Sequence, residues 1–273
     1  MVRHLATSLA TFALLAFASA PAAATQSTGT GGTAPAAVIA PAASSSTWSA
    51  VARTPVQITL TEMAIRTSTS IVPSGPVTFV VQNAGTVTHE VVVIRTDLPH
   101  GLLPADPSAP GKVLETGSAG ESGDIDAGAT TQFTLTLAPG RYALICNQPG
   151  HYAAGMHVAF TVASLVEVEL TEMAIAADQT SVPAGPVVFL VHNAGTVTHE
   201  LVLLHTNTAI DGLPANPQDA GKVQELGWWL ETGDMDAGLW SSREDMLPAG
   251  NYLLICNQPG HYKAGMRIAF TVK

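Results

Sequence analysis

Both cysteines of the chain stand at the head of the same eleven-residue phrase. The first phrase, CNQPGHYAAGM, spans residues 146–156, and the second, CNQPGHYKAGM, spans residues 256–266. Each phrase places a thiol, an imidazole and a thioether at intervals of five residues, with a Pro-Gly turn before the imidazole. A loop of this length can turn three side chains toward one point, and such a soft donor set favours copper.

Other metal centres use different donors. Zinc sites recruit cysteine, histidine and carboxylates but not methionine. Iron–sulfur clusters need more thiolates, and haem attachment needs a C-x-x-C-H motif that the sequence lacks. Two histidines and one cysteine with a weak axial methionine form the type 1, or blue, copper arrangement. Because the phrase supplies three of these four ligands, each site requires a second histidine.

An internal repeat identifies that second histidine. Residues 60–65, 83–90 and 146–152 recur 110 positions later as the segments LTEMAI, NAGTVTHE and CNQPGHY. Outside the phrases, only His89 and His199 occupy equivalent positions in the two repeats. The sequence therefore predicts two copper sites. Their ligands are His89, Cys146, His151 and Met156 in the first site, and His199, Cys256, His261 and Met266 in the second.

Two simpler interpretations explain less of the phrase. The histidine–cysteine pair of a thiol protease accounts for neither the methionine nor the duplication. A buried structural cysteine beside a turn does not account for the repeated histidine and methionine.

Met63 and Met173 also recur, and their place in a strand-like segment indicates core residues rather than extra ligands.

The segments that must position these ligands resemble short β-strands. In residues 77–83 and 130–137, apolar side chains alternate with other residues, and glycine and proline turns separate such segments. This pattern predicts an all-β fold of two tandem Greek-key β-sandwich domains. We place the domains at residues 55–163 and 164–273, with a very short connection near residues 163–166.

The first 54 residues have a different character. Residues 1–24 combine Arg3, an apolar run and an A-x-A site ending at Ala24, which is typical of a secretory signal peptide. An uncleaved anchor is less favoured, because the run is shorter than the ~20 residues that span a bilayer. Residues 25–54 are rich in Ser, Thr, Gly, Ala and Pro and predict a flexible linker. We expect a periplasmic or secreted protein without a spanning segment after signal removal.

Charge excludes one class of partner. The chain carries 11 Lys and Arg against 21 Asp and Glu, a net charge of −10, and both repeats are acidic. This charge argues against nucleic acid as a partner and favours solubility.

A disulfide between the two cysteines is not the explanation we favour. Such a bond between two equivalently placed residues would not explain why the same eleven-residue phrase surrounds each of them.

The repeated motif resembles the cupredoxins, and specifically the auracyanin, rusticyanin and sulfocyanin group. The ligand loop of that group, C-x-x-P-G-H-x-x-x-G-M, is matched at residues 146–156 and 256–266, and the earlier family histidine falls on His89 and His199. The resemblance covers each repeat from end to end. It implies an eight-stranded Greek-key sandwich with copper near one end, and one-electron transfer between partners.

Two features depart from the family pattern. Plastocyanin and azurin have Asn directly after the first histidine, where this chain has Glu90 and Glu200. Such a carboxylate either takes over a local hydrogen-bonding role or faces solvent, and groups around the ligands tune the reduction potential. The tandem form is the second departure, because the named relatives are single-domain carriers.

Four protein donors would leave no open position for a substrate, which favours electron transfer over catalysis. We therefore expect an exported electron carrier rather than an enzyme, with two copper ions (Cu⁺/Cu²⁺) per chain. Its partners would be redox proteins such as a cytochrome or a membrane oxidase complex. His151 and His261 are expected to reach the surface as electron ports.

Two alternative functions stay open. Periplasmic copper storage or delivery would favour Met- or His-rich surface sites, which the sequence lacks. A multicopper oxidase or reductase-like enzyme would need an extra interdomain copper and H-x-H motifs, which are also missing. The histidines outside the repeat pattern are too scattered to replace those motifs; they are His100, His157, His192 and His205.

Overall fold

The computed structural model describes residues 54–273. The predicted signal peptide (residues 1–24) and the predicted linker (residues 25–54), apart from its last residue, lie outside the described residues. The described part consists mainly of β-strands and the turns between them, and its one helix, α1 (His261–Ala264), is a single turn in the second ligand loop. None of the described residues forms a helix long and apolar enough to cross a membrane.

The first domain is a sandwich of two sheets. Its strands are β1 (Val56–Thr61), β2 (Ala64–Thr67), β3 (Ile71–Pro73), β4 (Gly75–Asn83), β5 (Val92–Arg95), β6 (Ser118–Glu121), β7 (Thr130–Leu137), β8 (Gly140–Ile145) and the first part of β9 (His157–Thr171). One sheet has the order β2-β1-β4-β7, and the other has the order β3-β9-β8-β5-β6. β1 pairs in parallel with β4, and β3 with β9, because the chain crosses between the sheets as in a Greek key.

The second domain repeats this arrangement. Its strands are the rest of β9, β10 (Ala174–Ala177), β11 (Ser181–Val182), β12 (Gly185–Asn193), β13 (Val202–His205), β14 (Ala215–Asn216), β15 (Asp219–Val223), β16 (Trp228–Glu231), β17 (Trp240–Leu247), β18 (Gly250–Ile255) and β19 (Arg267–Val272). One sheet has the order β10-β9-β12-β17, and the other has the order β11-β19-β18-β13-β16. The all-β, two-sandwich prediction is confirmed.

The two domains share one strand. Up to Ala163, β9 pairs with β3 and β8 of the first domain, and from Ser164 onward it pairs with β12 of the second. The segment in which the sequence predicts a short connection, residues 163–166, is therefore continuous strand. Every second side chain from Val166 to Leu170 is buried, which is the two-residue period of a β-strand. No turn residue interrupts this period, so the strand continues into the second domain.

Each domain has its own aromatic centre. In the first, the ring of Phe79 lies 5.1 Å from that of Phe133 and 5.7 Å from that of Phe160. In the second, the rings of Phe189 and Phe270 are 5.4 Å apart. Fully burying such a ring, as for Phe79 and Phe160, stabilises the fold by about 1.5–3 kcal/mol. The predicted ligand cysteines and methionines belong to the same core clusters, so each candidate site is built into the core.

The structure contradicts the prediction for the two methionines of the LTEMAI segments. Met63 and Met173 are 39% and 41% exposed, and their φ angles of 63° and 60° lie in the left-handed region. Each occupies the tight turn that follows β1 or β9, so the alternation of the strand no longer applies to it. A non-glycine residue in this conformation costs roughly 1–2 kcal/mol.

Candidate metal centres

In the first domain, the ligand loop begins where β8 ends and closes on itself. The backbone N–H of Cys146 donates to the carbonyl of Met156 (3.0 Å), whose own N–H donates to the carbonyl of His151 (3.1 Å). Gly150 and Gly155 have φ angles of 85° and 115°, which glycine adopts without strain. The closed loop therefore brings the backbones of its two ends, Cys146 and Met156, together.

The second histidine arrives from a distant segment. His89 and Ile125 form a two-way backbone bridge, with N···O distances of 3.1 and 2.7 Å. The buried Asn83 amide donates to the carbonyls of Val87 and Ile125 (both 2.8 Å) and accepts from the N–H of Gly85 (2.9 Å). One buried side chain thus shapes the NAGTVTHE loop and fixes where His89 enters the core.

The three donor atoms of the first site form a small triangle. The Nδ1 atoms of His89 and His151 are 3.1 Å apart, and they lie 3.8 and 3.3 Å from the Sγ of Cys146. The equivalent triangle in the second domain measures 3.2, 3.8 and 3.4 Å. A point in the plane of either triangle lies about 2 Å from all three atoms, which is the length of a metal–nitrogen bond.

Burial differs among the ligands in the same way at both sites. His89, Cys146 and Met156 are fully buried, whereas His151 is partly exposed. In the second domain the buried ligands are His199, Cys256 and Met266, and the partly exposed one is His261. Both cysteines are free thiols. Each site therefore has one histidine through which it meets the surface.

The chemistry of the donors fits copper. Burial, followed by the neighbouring imidazole, lowers the pKa of His89, and burial raises the pKa of the Cys146 thiol. The same directions and causes hold for His199 and Cys256. Two imidazole nitrogens and a sulfur converge in a largely buried site, with a buried thioether in the same core cluster. This is the donor combination that copper prefers among the biological metals.

Comparison with known families supports this assignment for both halves. A model of the copper binding proteins of the plastocyanin/azurin family matches residues 52–163. A model of the sulfocyanin (SoxE) domain matches residues 177–273. The chain belongs to the cupredoxins, with two such domains in tandem. The resemblance noted in the sequence is confirmed, and both cupredoxin domains are of the copper-binding kind.

Solved structures similar to the chain include two auracyanins and a rusticyanin. An auracyanin from Roseiflexus castenholzii is 26% identical over 39% of this chain and 94% of its own, with a TM-score of 0.29. Auracyanin A from Chloroflexus aurantiacus is 26% identical over 41% of this chain and 99% of its own, with a TM-score of 0.31. Rusticyanin from Thiobacillus ferrooxidans is 17% identical over 41% of this chain and 77% of its own, with a TM-score of 0.31. A search of curated proteins finds no match.

A carboxylate beside each cupredoxin site was missed by the sequence analysis. Glu62 accepts hydrogen bonds from the N–H and the hydroxyl of Thr86, and these bonds lower its pKa to about 2. A Cβ atom on Gly85 would lie 2.7 Å from Glu62 Oε1 and 3.0 Å from His89 Nε2, so the carboxylate and the imidazole flank the same glycine. The second domain repeats this contact. The sequence does carry a signal for this carboxylate, because the glutamate of the LTEMAI segment recurs in both repeats.

The glutamates that follow the first histidines are buried. Glu90 and Glu200 are each 7% exposed, which excludes the solvent-facing alternative. One carboxylate oxygen of each finds no hydrogen-bond partner among residues 54–273. Burial raises the pKa of both, that of Glu200 to about 7. Glu200 instead contributes through its backbone, whose N–H donates to the Sγ of Cys256 (3.5 Å).

Two of the histidines outside the ligand sets come together. The Nδ1 atoms of His100 and His157 are 2.8 Å apart, so the expectation that these residues are scattered is wrong for this pair. His192 and His205 instead stack on the rings of a tryptophan and a tyrosine.

Proposed function

We propose that the chain is an exported electron carrier with one type 1 copper site in each cupredoxin domain. The observation that carries this proposal is the convergence, twice, of one buried cysteine and two histidines on a single point. Copper bound there would supply a one-electron couple between Cu⁺ and Cu²⁺.

The residues of each site are suited to rapid electron transfer. The ligand loop is closed by backbone hydrogen bonds between Cys146, His151 and Met156, and His89 is held by its bridge to Ile125. Because these contacts fix the donors, their positions change little when the charge at the site changes. A small rearrangement lowers the barrier to transfer.

The pattern of burial supports a carrier over an enzyme. Four protein donors around one ion would leave no position for a substrate. His151 and His261 are the partly exposed ligands, so they are the suitable contact points for another redox protein.

The net charge of −10 suits a partner with a basic surface, such as a cytochrome or a membrane oxidase complex. Export is supported by the signal-like composition of residues 1–24.

The visible spectrum tests the assignment of both sites. A copper–thiolate pair absorbs strongly in the visible, so the copper-loaded protein should be intensely coloured. We expect Cys146→Ser and Cys256→Ser each to remove about half of the band, because the two sites have matching donors. The double variant should be colourless, and each single variant is the matched control for the other. Copper-loaded wild-type protein without such a band would overturn the proposal.

A further inference from the structure

The first domain holds a second pair of facing imidazoles, separate from its ligand triangle. The Nδ1 atoms of His100 and His157 are 2.8 Å apart, and their ring centroids are 4.9 Å apart. At the two ligand triangles, the corresponding Nδ1–Nδ1 distances are 3.1 and 3.2 Å. The pair thus presents two nitrogen donors close enough to bind one ion with a small adjustment of the rings.

Contacts with neighbouring residues hold the backbone of His100 and the ring of His157 in place. The hydroxyl of Tyr152 donates to the carbonyl of His100 (2.9 Å) and accepts from the N–H of Leu103 (2.8 Å). The ring of the same tyrosine lies 5.0 Å from that of His157. A Cβ atom on Gly101 would approach His157 Cε1 to 2.9 Å, so glycine leaves room for the imidazole. Little ordering is therefore needed when an ion binds, which favours affinity.

The second domain shows that the fold does not require these histidines. Ile210 and Arg267 occupy the equivalent positions. The guanidinium of Arg267 lies 5.0 Å from the ring centre of Tyr262, which keeps its hydrogen bonds to Ile210 and Leu213. The same structural role is thus filled without a metal donor, and the histidine pair is an addition specific to the first domain.

From this geometry, we propose that His100 and His157 form a third metal site for a divalent transition-metal ion. Both residues are partly exposed, so water can complete the coordination. Imidazole suits Zn²⁺, Ni²⁺ and Cu²⁺, and Cu²⁺ binds most strongly to a given nitrogen site. His157 directly follows Met156, which places the ion beside the first ligand loop but outside its triangle. The site lies within one domain, unlike the interdomain copper of an oxidase. The proposal does not depend on the assignment of the two type 1 copper sites.

Zinc titration of the full-length, untagged protein, loaded with two copper ions per chain and freed of excess copper, tests the proposal. We expect wild-type protein to bind one Zn²⁺ in addition to its copper, as measured by calorimetry and metal analysis. The double variant His100→Ile and His157→Arg copies the second domain and should lose this Zn²⁺. Its visible band and near-ultraviolet circular dichroism should be unchanged, which shows that it has folded.

The second domain offers the reverse experiment. The double variant Ile210→His and Arg267→His should bind one more Zn²⁺ than the wild type. Equal uptake of Zn²⁺ by wild-type protein and the His100→Ile, His157→Arg variant would overturn the proposal, and so would no additional uptake by the wild type. In the latter case the two imidazoles share only a hydrogen bond. Failure of the type 1 assignment would appear separately, as a missing visible band with the zinc difference intact.

Discussion

At the residue scale, the buried thiol determines how each site takes up its metal. Burial raises the pKa of the Cys146 and Cys256 thiols, whereas copper binds the thiolate. Loading a site near neutral pH must therefore release the thiol proton. The buried histidine contributes no further proton there, because the pKa of His89 is lowered and its ring is already neutral.

This proton release predicts a pH-dependent copper affinity. Below the raised thiol pKa, the apparent association constant should increase about tenfold per pH unit, since one proton leaves for each ion bound. The increase should level off above the thiol pKa. Competition with a chelator of known proton affinity, at pH 7.0, 7.5 and 8.0, measures the slope. In Cys146→Ser the first site should lose this slope, whereas an affinity independent of pH in the wild type would contradict the mechanism.

At the element scale, one asparagine organises the loop that delivers the buried histidine. Asn83 ends β4, and its side chain makes three hydrogen bonds to the backbone of the loop between β4 and His89 and to the bridge partner of His89. Asn193 makes the same three bonds in the second domain. The loop is thus stabilised by side-chain bonds rather than by strand pairing.

Asn83→Ala should destabilise the first domain by about 2–4 kcal/mol, because it leaves the Val87 carbonyl and the Gly85 N–H without their partner and removes one of the two hydrogen bonds that the Ile125 carbonyl accepts. The experiment uses the Cys256→Ser background, in which the visible band reports the first site alone. Denaturant should then remove the band at a lower concentration. Asn193→Ala, measured in the Cys146→Ser background, is the matched variant for the second domain. An unchanged midpoint for Asn83→Ala would show that the loop does not depend on this side chain.

At the scale of the whole molecule, the shared strand separates the two candidate sites. β9 begins directly after Met156, and it ends directly before Glu172, which flanks His199 across Gly195. Fifteen residues of strand at ~3.3 Å each extend over roughly 50 Å. The two sites therefore lie toward opposite ends of β9. Electron tunnelling falls exponentially with distance, so we expect each site to exchange electrons mainly with its own redox partner.

We therefore expect slow exchange of electrons between the two sites of one molecule. Met266→Leu alters the axial ligand and should make the two potentials unequal. After partial reduction, electrons should redistribute at a rate proportional to protein concentration, because they pass between molecules. Stopped-flow absorbance over a tenfold range of concentration measures this dependence. Fast redistribution at a rate independent of concentration would show that the sites communicate within one chain.

The sequence predicted most of the two candidate sites because their signal is local or repeated. The spacing of Cys146, His151 and Met156 lies within one loop, and the offset of 110 residues selected His89 without any knowledge of its neighbours. Alternation within strands likewise predicted two β-sandwiches. These properties depend on the chain near each residue, so a linear pattern can show them.

Only the tertiary structure decided which distant residues meet. Met63 lies in a left-handed turn at the surface, although its segment looks like a strand. Glu90 is buried, although carboxylates usually face water. His100 and His157 are 57 residues apart and meet because Tyr152 and β9 bring them together. Burial and contact arise from packing between segments far apart in the chain, and no spacing along the sequence records them.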